Sequence, residues 1–238
     1  MNKTFLKAIL WKELVCFFRN TLGIVSLYIL LLLGTNIFLP SLYMERGSIT
    51  PWINEMLLNN IMVLAATVIV TAGSAIISQS MGLERREGIL KVLLGIGLPP
   101  ELIWLGQYLF AFCCSYVLWL ASFLLYFIGI QLIYGVQIIM TVQCLFLSLF
   151  VFPVIAILIL AVYAGLFWTA KNQNTQLLYS LLPGIIYLLS FWLNQIFSEG
   201  RVVISFWAAV GMLAGSILGV FLITRFIKRV DAERLFDS

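Results

Sequence analysis

Long charge-free apolar blocks alternate with short polar segments along the whole chain. A run of about 18 or more apolar residues is what a helix needs to cross a hydrocarbon core of approximately 30 Å. The sequence therefore predicts an all-α integral membrane protein with six transmembrane helices in a single domain. The predicted spans are residues 22–40, 57–78, 102–130, 138–169, 177–197 and 202–225.

Spans three and four are longer than the roughly 20 residues that crossing requires. We expect such helices to tilt, bend or project beyond the bilayer. Pro153 is the expected bend in span four, because proline removes one intrahelical hydrogen bond and its ring clashes with the preceding turn. Pro183 with Gly184 has the same expected effect in span five.

The composition and the distribution of charge support this class. Of the 238 residues, 63% are hydrophobic and 10% are charged, whereas a soluble domain has roughly 45–50% apolar and about 25% charged residues. With the N-terminus in the cytoplasm, 12 of the 14 Lys and Arg residues fall on the cytoplasmic side, and only Arg46 and Arg201 lie outside. Basic loops resist translocation, so we expect a multi-pass protein of the cytoplasmic (inner) membrane with both termini cytoplasmic. The expected surroundings are membrane lipids, and no nucleic acid partner is expected.

Several functional classes lose support from what the sequence lacks. No ionisable residue lies deep in a predicted span, which disfavours ion-coupled carriers. There is no histidine and no paired-carboxylate or nucleophile–base arrangement, so no catalytic residue is assigned. We also expect no metal site, because the cysteines form no CxxC pair and are interpreted as packing residues. They are Cys16, Cys113, Cys114 and Cys144. The chain lacks GxxxxGK[ST], so any ATP energy must come from a partner.

The loop between spans two and three has helical periodicity. At 100° per residue, Glu84, Glu87 and Lys91 form one polar stripe, while Ile89, Val92 and Leu93 gather on another side. The pattern predicts a short amphipathic helix over residues 84–94, closed by Gly95 and Gly97 and stopped by Pro99 and Pro100. The alternative is a solvated loop helix that lies on lipid headgroups.

This loop resembles the coupling helix of the type-2 ABC transporter permeases, which carries a glutamate, a glycine, a leucine-rich stretch and a proline. The matching residues here are Glu87, Gly88, Leu90, Leu93, Leu94 and Pro99. The resemblance implies that this helix docks in a groove of an ATPase subunit. The contact residues that it implies are Glu84, Arg85, Arg86, Glu87, Gly88, Ile89, Leu90, Lys91 and Leu93.

The resemblance extends to both ends of the chain. Residues 1–21 are similar to the family's elbow helix through Lys12-Glu13 and Arg19-Asn20. Residues 226–238 are expected to form a cytoplasmic tail, in which residues 226–236 resemble the family's closing helix. The sequence departs from the family at Gln107, where a lysine is common, and at Leu98-Pro99, where Thr-Pro is common.

The resemblance implies a function for the whole chain. It would be the permease subunit of an ABC transporter that exports an amphipathic substrate such as a peptide, a lipid or a hydrophobic drug. ATP and Mg²⁺ would be bound by the partner ATPase subunits and not by this chain, and a second copy or a homologous permease would complete the pore. The alternative function is a non-transporting membrane scaffold or immunity protein.

The elbow segment contains a charge in an unexpected place. Its apolar arc includes Ile9, Leu10, Cys16 and Phe17, yet Glu13 falls in the middle of that arc. We therefore expect Glu13 to face protein, paired with a cytoplasmic arginine such as Arg85 or Arg86. The alternative is a carboxylate that reaches out to water.

Span two carries a polar face of small side chains on one side of the helical wheel. Small hydroxyl residues allow close helix packing and cross-helix hydrogen bonds, so one interpretation is packing within the bundle or at a dimer interface. The other is a substrate path, to which Asn36 and Asn194 would contribute. The face consists of Asn60, Thr67, Thr71, Ser74 and Ser78.

Overall fold

The computed structural model describes residues 3–38, 51–135, 137–170 and 206–228. Within these ranges the protein is almost entirely helical and contains no strand. Two π-helical turns, Phe17–Thr21 and Leu147–Val151, interrupt the α-helices. The α-helices are α1 (Lys3–Cys16), α2 (Leu22–Phe38), α3 (Pro51–Arg86), α4 (Ile89–Gly95), α5 (Pro100–Tyr134), α6 (Val142–Phe146), α7 (Phe152–Thr169) and α8 (Phe206–Lys228).

Four helical stretches of the described residues are long and apolar enough to cross a membrane. A fifth is counted if α1 and α2 form one broken span, in which the two halves meet at an angle of 66°. The described part of the chain is thus helical throughout its regular structure and has the character of a multi-pass membrane protein. The predicted span 177–197 lies outside the described residues, so six spans remain a prediction. The four stretches are Ile53–Glu84, Pro100–Tyr134, Val142–Thr169 and Val210–Lys228.

Helix α3 lies at the centre of the described bundle and packs against α2, α5 and α7. Most of its side chains are buried, including Leu57, Ile61 and Val68. A Cβ atom at Gly73 would lie 2.6 Å from Leu160 Cδ1 of α7, so the absence of a side chain at Gly73 permits the close contact between α3 and α7. Helix α8 differs, because it packs on α7 and leaves many large apolar side chains exposed.

The irregular turn before Pro153 has a specific partner in α5. Proline has no N–H to donate to the carbonyl oxygen of Leu149, four residues earlier in the helix. The Tyr116 hydroxyl of α5 donates a hydrogen bond of 3.0 Å to that oxygen. The π-helical turn Leu147–Val151 lies at this position, where the sequence predicts a bend. An inter-helix hydrogen bond therefore reaches the carbonyl oxygen that would accept from residue 153 in a regular α-helix.

Side chains also fix the bundle at the end remote from Glu84. The Asn54 amide of α3 donates to the Ile139 carbonyl oxygen at 3.2 Å and accepts from the Ile139 N–H at 3.0 Å. The Tyr134 hydroxyl at the end of α5 donates to the Ile37 carbonyl oxygen of α2 at 2.9 Å. These contacts hold α2, α3 and the segment after α5 together.

Candidate functional site at the Glu84 end of the bundle

A sharp turn joins the long helix α3 to the short helix α4. Helix α3 continues to Arg86, and the Glu87 N–H still bonds the Leu83 carbonyl oxygen at 2.9 Å. Gly88 then adopts φ of 69°, a left-handed conformation that glycine enters without steric cost and that ends a helix. The prediction of one continuous helix over 84–94 is therefore wrong. Helix α4 does end at Gly95 and α5 begins at Pro100, as the glycine and proline positions predict.

Helix α4 is anchored to the bundle on one side and exposed on the other. Leu90 within α4 and Leu98 after it are buried. Glu87, Lys91 and Val92 are exposed. The exposed side therefore combines one acidic, one basic and one apolar group, and it continues along the chain to the exposed Ile96.

The nine predicted contact residues of the coupling segment have different environments. Glu84 and Leu90 are buried within the chain, so they are not available for direct contact with a partner. Glu87 and Lys91 are exposed, and Gly88, Ile89 and Leu93 are partly buried. The side chains of Arg85 and Arg86 lie outside the described part of the structure.

Five polar side chains from three helices meet inside the bundle near the end of α3, and we call them the buried polar cluster. Lys12 Nζ lies 2.9 Å from Glu13 Oε1 and also contacts Glu84 Oε1. The Ser80 hydroxyl donates to Glu13 Oε2 at 2.5 Å. The Gln107 amide donates to Glu84 Oε2 at 2.6 Å. The cluster therefore joins α1, α3 and α5 through contacts between side chains.

The cluster is largely shielded from solvent. Glu13 is 2% exposed and Glu84 is 3% exposed, whereas the Lys12 side chain remains 34% exposed. A carboxylate buried to this degree must be paired or hydrogen bonded, because desolvating an unpaired charge is costly. The Lys12 ammonium contacts both carboxylates, so it offsets their mutual repulsion as well as their loss of hydration.

The prediction that Glu13 faces protein is confirmed by its burial. Its partners in the described structure are Lys12 and Ser80, and the arginines proposed for that role fall outside the described side chains. The third elbow residue, Arg19, is exposed on the π-helical turn Phe17–Thr21. The prediction that Glu84 shares one outward stripe with Glu87 and Lys91 is wrong, because Glu84 turns inward to α1 and α5.

Two members of the cluster, Ser80 and Gln107, were not assigned a role from the sequence. A signal for Ser80 was available, because it precedes Glu84 by four residues and therefore lies on the same face of a continuous helix. Gln107 stands out in the sequence only as a departure from the family pattern, although it is also the only amide side chain in the otherwise apolar span three. Neither signal identifies which helices approach each other.

The polar face of α3 is buried and largely satisfied within its own helix. The Thr67 hydroxyl donates to the Val63 carbonyl oxygen at 2.9 Å, and the Thr71 hydroxyl donates to the Thr67 carbonyl oxygen at 2.6 Å. Ser74 bonds the Thr71 carbonyl oxygen at 3.0 Å in the same way. We call Thr67, Thr71 and Ser74 the hydroxyl stripe.

The other predicted path residues are only partly brought together with this stripe. Asn60 is buried on α3, next to the Tyr126 hydroxyl of α5. Asn36 lies on α2, where its amide donates to the Leu32 carbonyl oxygen at 2.8 Å. Asn194 lies outside the described residues. The structure thus aligns Asn60, Thr67, Thr71 and Ser74 along one helix.

The fold and the apolar helices define the class of this chain as a multi-pass helical membrane protein, with a buried polar cluster at the Glu84 end of the bundle. The chain matches no protein-family model, no curated protein and no solved structure. Among the described residues, no group of three or more His, Cys, Asp or Glu side chains is placed to hold a metal ion.

Proposed function

We propose that this chain is the membrane-spanning permease subunit of a type-2 ABC transporter, and that α4 is its docking helix for an ATPase subunit. The observation that carries the proposal is the position of α4 between the two long helices α3 and α5. Its buried anchors Leu90 and Leu98 hold it to the bundle, while Lys91, Val92 and Ile96 are exposed. An exposed surface that mixes apolar and charged groups suits docking to another protein.

In this proposal, two permeases, identical or homologous, each bind one ATPase subunit that holds ATP and Mg²⁺. Nucleotide-driven closure of the ATPases moves the two α4 helices, and the bundles change between two accessibilities. ATP hydrolysis is assigned to the partner subunits, because this chain has no GxxxxGK[ST] loop to bind phosphate itself. Helix α4, the loops on either side of it and both chain ends then lie in the cytoplasm.

The proposed substrate is amphipathic, for example a peptide, a lipid or a hydrophobic drug, and the proposed direction is export. The hydroxyl stripe supports this choice, because it offers polar groups without charge along a membrane-crossing helix. A small pocket lies near the Glu84 end of the same helix, lined by Ser78, Gln79, Gly82 and Leu83. A neutral path of this kind suits a substrate with few charges.

Site-specific photocrosslinking in cells tests the docking surface. A photoreactive residue at Val92 should crosslink to an ATPase subunit, since Val92 is the exposed apolar residue of α4. The matched control is Ile139, which is equally exposed but lies at the opposite end of the bundle and should give no such product. An ATPase crosslink at both positions, or at neither, contradicts the proposal.

A helix-breaking substitution tests the coupling. Val92→Pro should break α4 and uncouple ATP hydrolysis from transport, because proline cannot continue the backbone hydrogen bonds of a helix interior. Val92→Ala keeps the helix and should keep coupling. Retained coupling in Val92→Pro overturns the assignment, and a stable complex with another membrane protein that contains no ATPase favours the scaffold or immunity function.

A further inference from the structure

Glu84 binds two different helices with its two carboxylate oxygens. Oε2 accepts a hydrogen bond of 2.6 Å from the Gln107 amide of α5. Oε1 contacts the Lys12 ammonium of α1. Because Glu84 itself belongs to α3, one buried side chain connects three helices at the point where the chain leaves the bundle to form α4.

The Glu84–Gln107 hydrogen bond also closes the base of the α3–α4–α5 segment. Glu84 precedes α4 and Gln107 follows it, so this bond holds together the two helices from which α4 projects. The positive φ angles of Gly88 and Gly97 mark the turns on either side of α4. The bond therefore links the two helices that flank α4 at the ends from which α4 is reached.

A second contact attaches α1 to the same place. Glu13, the neighbour of Lys12, accepts a hydrogen bond from Ser80, one turn before Glu84 on α3. Displacing α1 from the end of α3 therefore requires breaking a buried ion pair and a buried hydrogen bond to a carboxylate. Hydrogen bonds of charged groups are shorter and more directional than apolar contacts, so they specify one relative position of the helices.

The polar character of the cluster is itself informative. Replacing a buried ion pair by apolar residues of similar volume is often neutral or stabilising, so such pairs are a poor source of stability. Their directionality, in contrast, has no equivalent among apolar contacts. A cluster of this composition at the base of α4 is better explained by fixed geometry than by stability.

From these observations we infer that Lys12, Glu84 and Gln107 are positioning residues for α4, and that α1 moves together with α4 as one unit. The inferred geometry stands on the contacts alone, whereas its consequence for ATP coupling rests on the proposed function. The inference adds α1 to the part of the chain that receives the motion of a docked partner.

Distance measurements between spin labels test the geometry without any ATPase. Labels at Val15 on the exposed side of α1 and at Val92 on α4 should give one narrow distance distribution in the otherwise unchanged, purified chain. The double substitution Lys12→Met/Glu84→Gln removes the ion pair between α1 and α3 and leaves Glu13 with its hydrogen bond from Ser80. It should broaden and shift the distribution, and Gln107→Leu should do the same for labels at Val92 and Val117 of α5.

The matched control is Glu101→Gln, which removes a carboxylate from the first turn of α5 outside the cluster and should leave both distributions unchanged. Unchanged distributions in both cluster variants, with thermal unfolding that shows an intact fold, overturn the inference. If Lys12→Met/Glu84→Gln fails to fold, the Gln107→Leu measurement decides.

The consequence for coupling is measured with the ATPase partner present. Complexes that contain a cluster variant should transport less substrate per ATP hydrolysed by the partner, while complexes with Glu101→Gln should keep the wild-type ratio. If the distance distribution broadens but transport per ATP stays normal, the cluster has only a structural role. That result overturns the inferred consequence for ATP coupling. A chain that shows the distance changes but binds no ATPase contradicts the proposed function and leaves the geometric part supported.

Discussion

Helix α3 contains two polar regions that satisfy their hydrogen bonds in different ways. In the hydroxyl stripe, Thr67, Thr71 and Ser74 donate to carbonyl oxygens of their own helix. One turn or more beyond the stripe, Ser80 and Glu84 bond side chains of other helices. The two regions are equally buried, so burial alone does not determine whether a polar residue connects helices.

The chemistry of the side chains explains the difference. A hydroxyl carries a donor that the carbonyl oxygen three or four residues earlier can accept, so it needs no outside partner. An ionised carboxylate only accepts hydrogen bonds, and the N–H groups in a helix interior are already used by the backbone. Glu13 and Glu84 must therefore obtain donors from side chains, and Ser80 and Gln107 supply them across helices. In this bundle, the carboxylates connect neighbouring helices, whereas the hydroxyls of the stripe bond within their own helix.

The largest expected effect comes from removing the cation of the cluster. Lys12→Met leaves two nearly buried carboxylates close together without an ammonium, and breaking a buried ion pair by losing one partner costs about 3–5 kcal/mol. We expect a loss of about 3 kcal/mol, at the lower end of that range. Thermal or denaturant unfolding in detergent measures the loss.

Lys91→Met is the matched control, because Lys91 is exposed on α4 and its replacement should change the free energy of unfolding by no more than about 0.5 kcal/mol. Equal losses in the two variants would show that the cluster contributes nothing specific. Glu13→Gln should cost less than Lys12→Met, since it removes one of two repelling charges and keeps an oxygen for Ser80.

Much of the fold could be predicted from the apolar blocks, because crossing a membrane imposes a length and a composition on each helix. The burial of Glu13 also followed from its position inside an apolar arc. The inward orientation of Glu84 did not follow, because a helical wheel over 84–94 assumes one continuous helix. Gly88 breaks that helix, so the angular separation of Glu84 and Lys91 cannot be calculated at 100° per residue.

The partners of the cluster could not be predicted for a different reason. Which donor reaches Glu84 depends on where α1 and α5 pack against α3, and this is a property of the whole bundle. Lys12 and Gln107 are 72 and 23 residues away from Glu84 in the sequence. No local pattern of the chain encodes such a meeting.

The next prediction concerns packing beside the hydroxyl stripe. Gly73→Ala places a Cβ atom 2.6 Å from Leu160 Cδ1, and Leu160 is fully buried, so it has little room to move. Overpacking of this kind typically costs about 1–3 kcal/mol. Gly215→Ala on α8 is the control, since a Cβ atom there meets nothing within 4 Å among the described residues. Unfolding measurements that rank Gly215→Ala as the more damaging change would contradict this arrangement.

A smaller effect is expected where a side chain satisfies a backbone group across helices. Tyr116→Phe removes the donor to the Leu149 carbonyl oxygen, and inter-helix hydrogen bonds in membrane proteins contribute roughly 0.6 kcal/mol on average and up to about 1.7. We expect a loss of about 1 kcal/mol, because Pro153 leaves that carbonyl oxygen without its usual helical donor. In a double-mutant cycle with Pro153→Ala, the loss from Tyr116→Phe should shrink. An unchanged loss in the alanine background argues against the link to Pro153.

The smallest effect is expected in the hydroxyl stripe, and it bears most directly on function. Thr71→Val removes a donor to an oxygen that the helix backbone also uses, so the free energy of unfolding should change by less than about 0.5 kcal/mol. Ser80→Ala removes the same kind of group, but it takes a donor from the buried Glu13 carboxylate and should cost about 1–3 kcal/mol. Transport measured on the same two variants then distinguishes the substrate-path interpretation of the stripe from the packing interpretation. Lost transport in a normally stable Thr71→Val protein supports a substrate path, whereas normal transport at normal stability indicates that the stripe serves packing.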